Sequence, residues 1–152
     1  MTGTITYDAV ADIKTALTCD WDADPCNCAG ALPRIREIWN VKVTGFGSAN
    51  DEEIIIEPKA EEIKPFDMFG KAHWHTLPIE LDIRTYSTVT RLDVMVKEVE
   101  RIVKNIIRRT AGSPGFTQVV IEASKTKVPL ERNKFKHVIY LRYDAARSFT
   151  FV

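Results

Sequence analysis

Apolar and polar positions divide the chain into two helical and several extended segments. Val10, Ile13 and Leu17 recur at helical spacing within Tyr7–Leu17, which predicts an amphipathic helix of about three turns started by Thr6 or Asp8. Residues 18–30 are rich in Asp, Cys, Asn and Gly, lack a period, and predict an irregular loop. Leu32–Trp39 reads either as a short helix with Pro33 in its first turn or as an extended entry into a strand. Val41–Thr44 alternates, and beyond Gly45, Gly47 and Asn50 the β-branched run Glu53–Glu57 predicts a strand that Pro58 stops or places on an edge.

The clearest strand is Leu77–Arg84, where Leu77, Ile79, Leu81 and Ile83 share one face and Pro78, Glu80, Asp82 and Arg84 the other. The charged face predicts exposure to water, and therefore an antiparallel or mixed sheet covered on a single side. Leu92, Met95, Val96, Val99, Ile102, Val103, Ile106 and Ile107 form the continuous helical stripe that covers it. Thr90 with Asp93 fits a helix start, Arg108 and Arg109 suit the negative end of the dipole, and Gly112 and Pro114 end the helix. Two strands, 118–123 and 135–143, follow, joined by a polar basic segment containing Pro129. The order predicts an α+β fold: a twisted, mostly antiparallel sheet with the long helix and the shorter N-terminal helix on one face.

With 152 residues, 45% hydrophobic and 28% charged, the chain has the profile of one soluble domain spanning 1–152, able to bury a core without disulfides or a structural metal. No apolar stretch approaches the ~20 residues that cross a bilayer, and Met1–Thr6 shows no basic then apolar leader pattern, so neither membrane nor export is expected. Lys plus Arg and Asp plus Glu each number 21, leaving no global positive field to attract nucleic acid. The charge is unevenly spread. Residues 1–66 carry 12 acids and 6 bases, 67–124 carry 7 and 8, and 125–152 carry 2 and 7. Either the acidic and basic parts neutralise each other inside the fold, or unlike surfaces of successive copies meet head to tail and close into a ring.

Candidate chemistry is sparse. Cys19, Cys26 and Cys28 have C-x6-C-x-C spacing without a second pair, which predicts free thiols in a reducing compartment and not a zinc site. His73 and His75 flank Trp74 and share a strand face, with His137 as the only further histidine to join them; hydrogen-bonded or solvated histidines are the expectation. No nucleophile-elbow or phosphate-loop pattern occurs, so no catalytic, cofactor or metal residue is assigned and the chain is read as a non-enzyme. Lys125, Lys127, Arg132, Lys134, Lys136 and Arg142 interleave with Phe135, Tyr140 and Tyr143, loosely like a single-strand nucleic-acid surface, but these tyrosines alternate with apolar residues as sheet positions do.

The layout carries a resemblance. An initial helix precedes the β-run Ile54-Ile-Ile-Glu-Pro58, a turn-rich hairpin with Gly70, and a strand from His73-Trp-His to Arg84. After the polar break Tyr86-Ser-Thr comes a long helix opening with Leu92-Asp93 and containing Val96-Lys-Glu-Val99, then closing strands. From about Glu53 to Tyr143, roughly two thirds of the chain, this resembles the tail-terminator or tail-completion (head-tail joining) proteins of long-tailed bacteriophages and related viruses. The insertion at 18–30 and the segment 31–40 depart from that pattern. The resemblance implies a virion protein made in the host cytoplasm that forms a homo-oligomeric ring, hexameric by family pattern, at the head-proximal end of the tail tube. Such a ring stops tube assembly and joins the tail to the neck. Its implied partners are further copies of itself, the tail-tube protein and a connector or neck protein, without membrane or specific nucleic-acid binding, and it needs no cofactor. Contact candidates are Trp74, Glu80 and Arg84, placed outward by strand parity, and Lys125, Lys127, Arg132 and Lys134 on or beside an arm at about 124–134. A small metal- or thiol-dependent enzyme and a cellular α+β interaction domain are the alternative readings.

Overall fold

A computed structural model describes residues 5–22, 30–37, 52–65, 72–110, 118–127 and 134–148. Helix α1 spans Ile5–Asp20, followed by strands β1 (Arg34–Glu37), β2 (Glu53–Pro58), β3 (Glu62–Pro65) and β4 (Ala72–Thr85). Helix α2 (Val89–Thr110) then leads to β5 (Gln118–Lys127) and β6 (Phe135–Ser148). The strands form one open sheet in the order β1-β2-β4-β6-β5, with β3 also pairing β4. Only β1 and β2 run parallel; every other pairing is antiparallel. This is the expected α+β architecture, with both helices on one face.

β4 and β6 form the spine, paired over their full length from Ala72↔Ser148 to Thr85↔Phe135. The other edge of β4 is shared, β3 taking His73–Thr76 and β2 taking Ile79–Arg84. The inward side chains Leu77, Ile79, Leu81 and Ile83 join Ile54 and Ile56 of β2 and Ile139, Leu141 and Tyr143 of β6 in one core. Ala9, Val10, Ile13 and Leu17 of α1 and Leu92, Met95, Val99, Ile102, Val103 and Ile106 of α2 close over it. A fully buried Leu or Ile contributes about 1.5–3 kcal/mol, so this cluster is the main source of stability. Tyr143, whose hydroxyl donates to Asp12 Oδ2 at 3.3 Å, ties β6 to α1, and burial pushes its phenol well above the ordinary value.

Several boundaries differ from expectation for local reasons. α1 continues through 18–20, so the predicted loop starts later; residues 23–29, with Cys26 and Cys28, lie outside the described residues. The last turn of α1 has no basic residue of its own, and Arg101 of α2 supplies the cation, donating to Asp20 O and to Glu98. Residues 34–37 are a strand, which resolves the helix-or-strand alternative, while Val41–Thr44 and Gly70 fall outside the described residues. α2 begins before Thr90 because Thr88 caps it: the Arg91 amide donates to Thr88 Oγ1 at 3.1 Å, and no acid occupies the first turn. The expected arm at 124–134 begins as strand, since 124–127 complete β5; 128–133, with Arg132, lie outside the described residues.

Candidate functional site

The second face of the sheet is largely polar, as the alternation requires, but its centre around Glu53, Asp82 and Arg84 is not wet. Pairing sets Arg34, Glu53, Arg84 and Lys136 in one row across β1, β2, β4 and β6, and Arg36, Ile55, Asp82 and Val138 in the next. Arg84 is only 1% exposed, Glu53 1% and Asp82 4%. These charges are held by partners: Arg84 donates to both Asp82 oxygens at 2.9 and 3.2 Å, Lys136 Nζ lies 2.9 Å from Asp82 Oδ2, and Arg36 donates to Glu53 Oε1 at 3.1 Å. Arg84 is therefore a buried ion-pair residue, which corrects its expectation as an exposed contact. A buried charge is tolerated only when paired, so strand parity alone does not decide exposure.

Sheet edges are the natural surfaces for a second chain. β2, for which Pro58 allowed an edge position, lies inside the sheet between β1 and β4, which removes it as a candidate. β5 does end the strand order, as does β1 at the opposite side. Both are blunted: β1 has four residues, and β5 carries a bulge at Glu122 and the exposed Lys125. β3 leaves Ile63 51% exposed beside Glu62 and Lys64.

The acidic first part of the chain supplies α1, β1, β2 and β3, whereas the basic last part supplies β6 and the end of β5. β4 separates them. The asymmetry along the sequence thus becomes an asymmetry across the sheet. Arg142 pairs with Glu122 at 2.8 Å and Asp144 at 3.1 Å, and Lys136 pairs with Asp82, so these basic groups are answered from outside the acidic segment.

The other expected contact residues are dispersed. Trp74 is half-buried on β4, and Glu80 lies 3.7 Å from Lys59. Lys125 Nζ lies 5.9 Å from the Tyr140 ring centroid, Lys134 Nζ lies 5.7 Å from that of Tyr86, and Lys127 ends β5. His75 is buried with Nδ1 2.7 Å from Glu61 Oε1, a pairing invisible in sequence because it crosses from the turn before β3 to β4. His137 pairs with Ile83, eight residues along β4 from His75, about 26 Å at the rise of a strand, so it does not join the other two histidines. Cys19 is a free, exposed thiol on α1, and among the described residues no three His, Cys, Asp or Glu side chains are placed to hold a metal ion.

One cleft of about 400 Å³ lies at the start of α2, lined by Glu52, Thr85, Tyr86, Ser87 and Arg91. Arg91 grips Glu52 through Nε and Nη2 at 2.8 and 2.9 Å, and Thr85 Oγ1 donates to the same carboxylate at 2.8 Å. Its walls are thus occupied with one another. No helix among the described residues is long and apolar enough to cross a membrane. Neither a protein-family model nor a curated protein sequence matches the chain.

Proposed function

We propose that this chain is a structural subunit that assembles head to tail into a ring capping the head-proximal end of a viral tail tube, and that it presents the surface on which the neck docks. The observation that carries the reading is the separation of acidic and basic parts to opposite sides of β4. A ring needs heterologous contacts, in which two unlike patches of the same chain meet and the rotation closes. Net negative charge in the part that supplies α1 and β1 to β3, and net positive charge in β5 and β6, provide such patches and steer successive copies into register. The element order adds support: an initial helix, a β-run ending at Pro58, a long strand, a long amphipathic helix and two closing strands, the layout on which the resemblance rests.

The test is to mix the purified chain with a tail-tube protein of the same virus and examine the product by negative-stain electron microscopy. Rings at one end of tubes of uniform length are expected. Tubes that elongate without limit and carry no cap would overturn the reading.

A further inference from the structure

The bulge in β5 changes which of its side chains face the helices. Before it, Val119↔Tyr143 and Ile121↔Leu141 share the inward face; Glu122 is then left out of the ladder, and after it Ser124↔Ile139 and Thr126↔His137 share that face. Ser124 and Thr126 are thereby aimed at His137 from the adjoining strand. His137 Nε2 is 2.6 Å from Ser124 Oγ, and Nδ1 is 2.7 Å from Thr126 Oγ1. The imidazole is 9% exposed, whereas Ser124 lies open to solvent on the last strand of the sheet.

We propose that Ser124 is a nucleophile for acyl transfer, with His137 Nε2 as its general base and Thr126 as the residue that positions the ring. In the tautomer that serves as base, His137 Nδ1–H donates to Thr126 Oγ1, which orients the ring, and the Nε2 lone pair faces the serine. Burial lowers the His137 pKa, outweighing the opposing pull of the Glu100 and Asp93 carboxylates on α2, and the ring is neutral at neutral pH. Glu100 Oε1 also lies 3.3 Å from Ser124 Oγ, but the imidazole at 2.6 Å is the nearer acceptor for the hydroxyl proton. In the reaction Ser124 Oγ bonds to the ester carbonyl carbon as its proton passes to His137 Nε2. The carbon–oxygen bond to the leaving alcohol then breaks, and that oxygen departs as an anion or takes the proton from His137. Glu100 and Asp93 repel anionic esters, so the substrate class is an uncharged acyl ester reaching the open edge of β5, beside backbone that the bulge frees from the ladder. This site is independent of the assembly reading.

The test exposes the whole chain to p-nitrophenyl acetate, follows nitrophenolate release by stopped flow and locates the acetyl group by peptide mass mapping. A burst approaching one equivalent, with the acetyl group on Ser124, is expected. Ser124→Ala abolishes it and His137→Gln slows it at least about 100-fold. Thr126→Ser retains the rate and Thr126→Val loses it. Glu100→Gln removes the competing acceptor and a carboxylate that holds the His137 pKa up, so the pH midpoint falls further while the acetyl group still lands on Ser124, and this keeps the test decisive should His137→Gln fail to fold. The rate climbs with pH around a midpoint below the ordinary histidine value of about 6.5. Acetylation confined to lysines, an unchanged rate in Ser124→Ala, or loss of Ser124 acetylation at every pH in Glu100→Gln would overturn the proposal, the last by showing that the serine proton belongs to Glu100.

Discussion

Asp82 offers the sharpest test of how the second face of the sheet is held together. Its carboxylate, 4% exposed, accepts Arg84 at 2.9 and 3.2 Å and faces Lys136 Nζ at 2.9 Å. Asp82→Ala strips that carboxylate from a guanidinium that is itself 1% exposed, and breaking a buried pair from one side costs about 3–5 kcal/mol. Lys136 is partly exposed and regains water, so it adds less than about 1 kcal/mol and the total is about 3–6 kcal/mol. With a urea slope of about 2 kcal/mol/M for a domain of this size, the unfolding midpoint drops by roughly 1.5–3 M. The assay is urea titration followed by tryptophan fluorescence, with Asp93→Ala as control. Asp93 is an exposed acid 3.1 Å from Lys97 one helical turn away, and its loss shifts stability by no more than about 0.5 kcal/mol. The buried effect survives about 1 M salt, where exposed pairs are screened. A loss under about 1 kcal/mol, or one that vanishes in salt, would refute the assignment of Asp82 as the anchor of that face.

Three further perturbations follow from single contacts. Burial raises the Glu52 pKa, but hydrogen bonds from Arg91 and Thr85 and the charge of Arg91 more than offset this and hold it below 4.5. A carboxylate lowered in the folded state stabilises above its unfolded value and loses that contribution as pH falls through the folded value. Glu52→Gln should therefore flatten the loss of stability below about pH 4.5, seen as urea midpoints of the two proteins converging in acid. Thr88→Ala removes the acceptor of the Arg91 amide and should cost about 1 kcal/mol by thermal melting, whereas Thr90→Ala is nearly neutral if Thr88 is the cap. Gly30 adopts φ 69° and accepts a hydrogen bond from Trp21 Nε1 at 3.0 Å; a Cβ there would sit 3.1 Å from Arg91 Nη1. Gly30→Ala should destabilise by about 1–2 kcal/mol, and an unchanged melting temperature would contradict the left-handed turn.

Features written in a local period were legible. α2 was readable because its stripe of apolar residues repeats every three or four positions, and Leu92, Met95, Val99, Ile102, Val103 and Ile106 all enter the core. β4 was readable over Leu77–Leu81 because strand parity and burial agree there. Where burial depends on partners distant in sequence, the pattern misleads. Glu53, Asp82 and Arg84 look solvent-facing one at a time, and only the pairing of β2, β4 and β6 makes them a buried, mutually neutralised set. β2 lacks alternation because it is buried on both faces between β1 and β4, the signature of an interior strand and not of an edge. The Ser124, Thr126 and His137 cluster was hidden for another reason. Without the extra residue Glu122, simple period-two counting continued from Val119 and Ile121 would send Ser124 and Thr126 to the opposite face.

The assembly reading rests on unlike charge at the two sides of the sheet, and solution mass tests it most directly. Light scattering across a concentration series, repeated from about 0.05 to 1 M salt, should show either a discrete closed oligomer or a monomer that becomes one when tail-tube protein is added. Salt should dissolve it as screening shortens the reach of the charges to a few Å. A monomer at every concentration and salt, unmoved by tube protein, would contradict the account.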